Sequence, residues 1–158
     1  MPNWCMNHLT LKHESVDELT RAEKALSRNE LFHEFLPCPP ELEGQSAEQN
    51  LAKYGARDSY DWCCDNWGTK WDIDEGSVTA SVHGEITAKF FTAWSPPIAF
   101  YQHLIKLGFD VRGLYYEPGM AFAGIFGHGE DQQYTVTSHG DLPDEIIEAF
   151  DISEDIDD

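Results

Sequence analysis

This sequence predicts an α+β fold, a mainly antiparallel sheet with helices packed on one face, and three observations carry the prediction. SVTASV and EITAKFF alternate apolar and polar residues with the period of two that a half-buried strand shows, and only His83 and Gly84 separate them, so they read as a hairpin. VDELTRAEKAL and PPIAFYQHLIKLG carry apolar residues at helical spacing instead. With 158 residues and 41% hydrophobic content, the chain has material for one core. The order of strands and helices along the chain fits an α+β sheet.

Taken in order, WCMNHLTL opens with Leu9 and Leu11 on one face and reads as the first strand. Ser15 with Glu18 three residues later has the form of a capping box, and Val16, Leu19, Ala22 and Leu26 give the following helix its apolar stripe. That helix is expected to end near Ser27 to Asn29. Pro37, Pro39 and Pro40 exclude regular structure over their own span but leave LFHEFL free to be a strand. Residues 41–58 are polar with weak periodicity and read as a surface insertion holding one short helix. From Tyr60 onward aromatic and β-branched residues dominate. Pro96 and Pro97 enter the second long helix, Ile98, Tyr101, Leu104 and Ile105 line it, and Gly108 stops it. FDVRGLYYEPG and MAFAGIFG read as two strands joined at Pro118 and Gly119, and QQYTVT as a last edge strand. The domain is expected to span residues 1–140. Residues 141–158 form an acidic C-terminal segment, helical where Leu142, Ile146, Ile147 and Phe150 fall at helical spacing, then mobile.

Charge narrows the function. The chain carries 29 acidic and 10 basic residues, a formal charge of −19. Binding to nucleic-acid phosphates or to an anionic membrane needs a cationic footprint, so direct binding to either is disfavoured. From Gly113 to the end there are twelve carboxylates and no Lys or Arg. MPNWCMNHL lacks the basic and apolar regions of a signal peptide, and no apolar run approaches a spanning helix, so a cytoplasmic protein is expected. Cys5, Cys38, Cys63 and Cys64 are expected to be reduced.

MPNWCMNHL, PCPPEL, NWGTKWD, FFTAWSPP and YYEPGMAFAG, in this order, resemble the YubB-like family of plasmid and phage proteins over roughly residues 2–129. The resemblance implies a ferredoxin-like sandwich and a mobile genetic element in a bacterial host as the source. It implies no activity. The acidic end lies outside the shared motifs, and Lys12 and His13 stand where the family would have a glycine turn.

The densest stretch, CCDNWGTKWD, has two readings. As a pocket, Asn66, Trp67, Thr69 and Lys70, with Trp94 and Glu117, would hold a polar or anionic ligand. As a corner, the tryptophans would lock the sheet to its helices, with Trp94, Pro96 and Pro97 as the other half. On a strand, Cys63 and Cys64 would point to opposite faces and could not share a metal, and the four cysteines contain no C-x-x-C. Asp72, Asp74 and Glu75 fail the spacing of a calcium loop and read as a solvated hairpin turn. The seven histidines are scattered, so no metal and no cofactor is expected. Glu117 is either an acid or base, or the cap of a turn. No nucleophile elbow or phosphate loop is present, so the sequence gives no sign of an enzyme.

The reading that follows is a non-enzymatic accessory protein of a mobile element, binding a basic host protein through an acidic surface. Glu130, Asp131, Asp141, Asp144, Glu145, Glu148, Asp151, Glu154 and Asp155 would form that surface, as a nucleic-acid mimic inhibiting a host defence or a DNA- or RNA-binding protein. One alternative is a small-molecule pocket protein or enzyme using NWGTKW and FTAWSPP. Another is an RNA or single-strand binder, which would require Lys53, Arg57, Lys70, Lys89 and Arg112 to gather on one face.

Overall fold

The computed structural model describes residues 2–137 and 142–152. Six strands form one open antiparallel sheet: β1 (Trp4–Lys12), β2 (Asp74–Val82), β3 (Glu85–Ala93), β4 (Asp110–Glu117), β5 (Phe122–Gly127) and β6 (Glu130–Thr135), in the spatial order β2-β3-β1-β4-β5-β6. Between β1 and β2 run α1 (Val16–Ser27), α2 (Leu31–Phe35), a short 3-10 turn at Pro40–Glu43, α3 (Ala47–Tyr54) and α4 (Ser59–Asn66). Helix α5 (Ile98–Lys106) joins β3 to β4, and α6 (Asp144–Phe150) follows β6. β1 to β5 lie on the segments expected as strands, while β6 starts and ends two residues before QQYTVT. His83 and Gly84 make the two-residue turn between β2 and β3, and His128 and Gly129, both with positive φ, make the one between β5 and β6.

Alternation assigns the two faces of the sheet. Leu9 and Leu11 of β1, Ile86, Ala88 and Phe90 of β3, Val111 of β4 and Phe126 of β5 join Leu26, Phe32, Trp67, Phe100 and Leu104 in the main core. The residues between them point the other way. There Tyr116, Ala123 and Ile125 meet Leu142, Ile146 and Phe150 in a second, smaller core. Helices therefore lie on both faces, not one. Helix α6 covers the second face, where Leu142 and Ile146 bury themselves against Tyr116, Ala123 and Ile125.

Three local expectations are corrected. LFHEFL is mostly helical, not a strand: the carboxylate of Asp72 accepts the N–H groups of Phe32 and His33 (3.0 and 2.9 Å) and satisfies the open N-terminus of α2 from 40 residues away. Cys63 and Cys64 lie on helix α4, capped at its start by Asp58, whose side chain accepts from Asp61 N–H. The Ser15 capping box is half formed, with Ser15 Oγ accepting from Glu18 N–H while Ser15 N–H goes to His13 Nδ1. The complete box sits in the polar segment, where Ser46 and Gln49 exchange bonds at the start of α3.

Candidate functional site

Residues 66–70 and 92–100 are stitched into one corner. Trp67 is 5% exposed, packs on Phe32 and Trp62, and donates its indole N–H to Leu36 O (2.9 Å). Gly68 has a φ of 86° and passes so close to the start of α5 that a Cβ there would lie 3.1 Å from Ile98 N. Thr69 donates to Ala93 O (2.7 Å), Ser95 to Gly68 O (2.6 Å), and Phe100 N–H to Trp67 O (3.3 Å). Asn66 bonds back to Trp62 O within its own helix. Thus Asn66, Trp67 and Thr69 spend their polar atoms on the frame.

Lys70 and Trp94 belong to a different environment. Trp94 is the centre of a three-residue turn closed by Ser95 N–H on Ala93 O (2.9 Å), and its φ of 69° places a bulky residue in the left-handed region. The residue is 44% exposed. The ammonium of Lys70 lies 3.8 Å from the Trp94 ring centre and 4.0 Å from that of Trp71, held between two indoles. Trp71, itself 48% exposed, tilts against Trp4 at 6.4 Å. Trp4 and Phe91 share the sheet face opposite the main helical layer, since Trp4 pairs with Ala93 and Met6 with Phe91. An aromatic surface thus runs from Trp94 through Trp71 to Trp4 and Phe91.

Beside it β2 begins with a bulge, its register shifting between Asp74 and Ser77. Asp74 and Glu75 are therefore not a hairpin turn but the irregular start of a strand, with Glu75 at a φ of 49°. Gly76 pins the bulge. Its N–H donates to Asn29 Oδ1 (2.8 Å), and a Cβ on it would meet Leu26 O at 2.3 Å.

Glu117 stands at the end of β4 with its carboxylate turned to the backbone. It is 1% exposed, and its two oxygens accept the N–H groups of Gly119 and Met120, each at 2.7 Å, so it caps the β4–β5 turn. The six pocket candidates divide among a frame, an exposed stack and a turn cap. Of the acidic set, Asp131 accepts from Tyr115 Oη (2.6 Å), and Glu145 holds Arg112 in a two-pronged ion pair that keeps its carboxyl below the usual range. Glu130, Asp144, Glu148 and Asp151 are exposed and make no ion pair among the described residues. Asp141, Glu154 and Asp155 lie outside the described residues, as does the tail expected to be mobile.

No family model matches the chain, and no curated protein does. Among solved structures, one described as the crystal structure of a protein api92 from Yersinia pseudotuberculosis, with the family description DUF1281, is similar at 18% identity and a TM-score of 0.46. The match covers 63% of this chain and 39% of that one, so the chain spans well under half of that protein's length.

Burial pushes the thiols of Cys5 and Cys63 up to about 12, which leaves them protonated and unreactive near neutrality. Among the described residues no three His, Cys, Asp or Glu side chains are grouped as metal ligands, and no helix is long and apolar enough to cross a membrane. Of the five cations that an RNA-binding face would gather, Lys89 and Arg112 line one cleft with His8. Lys53, on α3, is bonded to Glu41 of the 3-10 turn, and Lys70 is held by its indoles. Sequence reasoning missed Trp4 and Phe91 as surface residues. The signal was available in the parity of β1, since Leu9 and Leu11 point inward and Trp4 is of the opposite parity.

Proposed function

We propose that this chain is a non-enzymatic binding protein that docks a basic protein through its carboxylate-rich surface. The observation that carries the reading is the set Glu130, Asp144, Glu148 and Asp151, exposed and without a cation partner among the described residues, on a chain of formal charge −19. Carboxylates left uncompensated speed encounter with a basic partner and reject acidic ones. The scaffold is proposed as a ferredoxin-like unit: β1 to β4 with α1 and α5 follow the order strand, helix, strand, strand, helix, strand. The YubB-like motifs then suggest a mobile-element product acting on a host nucleic-acid-binding protein, whose phosphate groove the carboxylates would occupy. Against an enzyme stands the fate of the candidate groups, since Glu117, Thr69 and Asn66 are all engaged in holding the backbone.

The test is affinity capture from a bacterial lysate with the wild-type chain and a Glu130→Gln, Asp144→Asn, Glu148→Gln, Asp151→Asn variant. Basic nucleic-acid-binding proteins should be retained by the wild type at low salt, released at high salt, and lost with the variant. Equal retention by both chains would overturn the proposal.

A further inference from the structure

A recess of about 150 Å3 opens on the sheet face opposite the main helical layer, lined by Trp4, Phe91, Asp74 and Glu75. Two of its walls are aromatic and two are carboxylates. Neither Asp74 nor Glu75 makes an ion pair among the described residues. We infer that this recess is an anchor site for a lysine or arginine side chain of a basic protein segment, with Trp4 and Phe91 as its π walls and Asp74 and Glu75 as its counter-charges. The inference rests on the acidic-docking reading for the nature of the partner.

Three features favour that occupant over a purely apolar one. The neighbouring indoles of Trp71 and Trp94 already clasp an ammonium, that of Lys70, at 4.0 and 3.8 Å, so the geometry for cation–π contact is realised beside the recess. The carboxylates sit on a bulge tied to the end of α1, where Gly76 N–H donates to Asn29 Oδ1 and only a residue without a Cβ fits beside Leu26 O. Helix α6, with Asp144 and Glu148, docks on this same sheet face. Its Phe150 stacks on His8 at 4.5 Å, four residues and about 13 Å along β1 from Trp4. A basic segment lying across the face would meet the α6 carboxylates at one end and the recess at the other.

An octa-arginine peptide serves as the probe, with binding followed by fluorescence anisotropy and by the indole N–H signals of the tryptophans in NMR. The peptide should shift the Trp4 indole signal, and the Asp74→Asn, Glu75→Gln variant should bind about five- to tenfold more weakly, as two rim charges imply. A second variant, Phe91→Ser, should lose the Trp4 shift. Binding that persists with the Trp4 signal unmoved and the double variant unaffected would overturn the recess while leaving the acidic surface in place. Weakening by the recess variants but not by the Glu130, Asp144, Glu148 and Asp151 substitutions would keep the recess and overturn the wider acidic surface. No binding to the wild-type chain would overturn both.

Discussion

Trp67 and Trp94 come from motifs that look alike in sequence, each a tryptophan beside small polar residues, yet one is 5% and the other 44% exposed. Trp67→Ala should cost about 3–5 kcal/mol, the range for truncating a buried aromatic. Trp94→Gly should leave the melting midpoint almost unchanged. Relief of the left-handed backbone, about 1 kcal/mol, offsets the lost contact with Lys70, itself about 0.5–1 kcal/mol. Thermal unfolding of the two variants checks both expectations, and equal losses would mean that the Trp94 ring packs more tightly than its exposure shows. The sequence could not separate the two because burial here depends on where Phe32 and Leu36 arrive. Glu117 was legible as a turn cap or an acid, and the N–H groups of Gly119 and Met120 give it the first role.

At the scale of elements, the hairpin strands and the two long helices were readable because each shows its own period over enough residues. Helix α2 was not, since Leu31, Phe32 and Phe35 make a stripe too short to tell from a buried strand, and its N-terminal N–H groups are satisfied by Asp72, far along the chain. Helix α6 was visible as an amphipathic segment, but nothing in its sequence told which face of the sheet it would cover. Its docking yields a testable consequence. A chain ending at Thr137 should keep a cooperative transition, because the main core is intact, but melt at lower temperature and bind a hydrophobic dye on Tyr116, Ala123 and Ile125. Loss of the transition would show that the smaller core is required for folding.

For the whole molecule, charge is the dominant variable and was legible from composition alone; its arrangement on the surface was not. At a formal charge of −19, self-repulsion should make the protein more stable on adding salt at neutral pH, where screening acts within about 10 Å at 0.1 M. Acidification works in two directions. Protonating exposed carboxylates relieves repulsion, but Glu34 and Glu145 are held below their usual range by Arg21 and Arg112. A depressed folded value means stability that is present above the ordinary carboxylate pKa, about 4.3, and is lost as the pH falls through the folded one. His8 adds to the loss from a higher pH. Burial, then Lys89, lowers its value, so its protonation below about pH 6.5 favours the unfolded chain. Melting curves between pH 8 and pH 3 should therefore flatten near pH 5 to 6 and fall below about pH 4. A midpoint that climbs steadily to pH 3 would mean that repulsion outweighs every ion pair. The turn at Trp94 carries this to the kinetics of recognition. Its indole and that of Trp71 already hold Lys70 beside the recess, so this part of the face is assembled before any encounter. Association with the proposed partner would then be governed by diffusion and charge, and its duration by how well the partner fits the assembled surface.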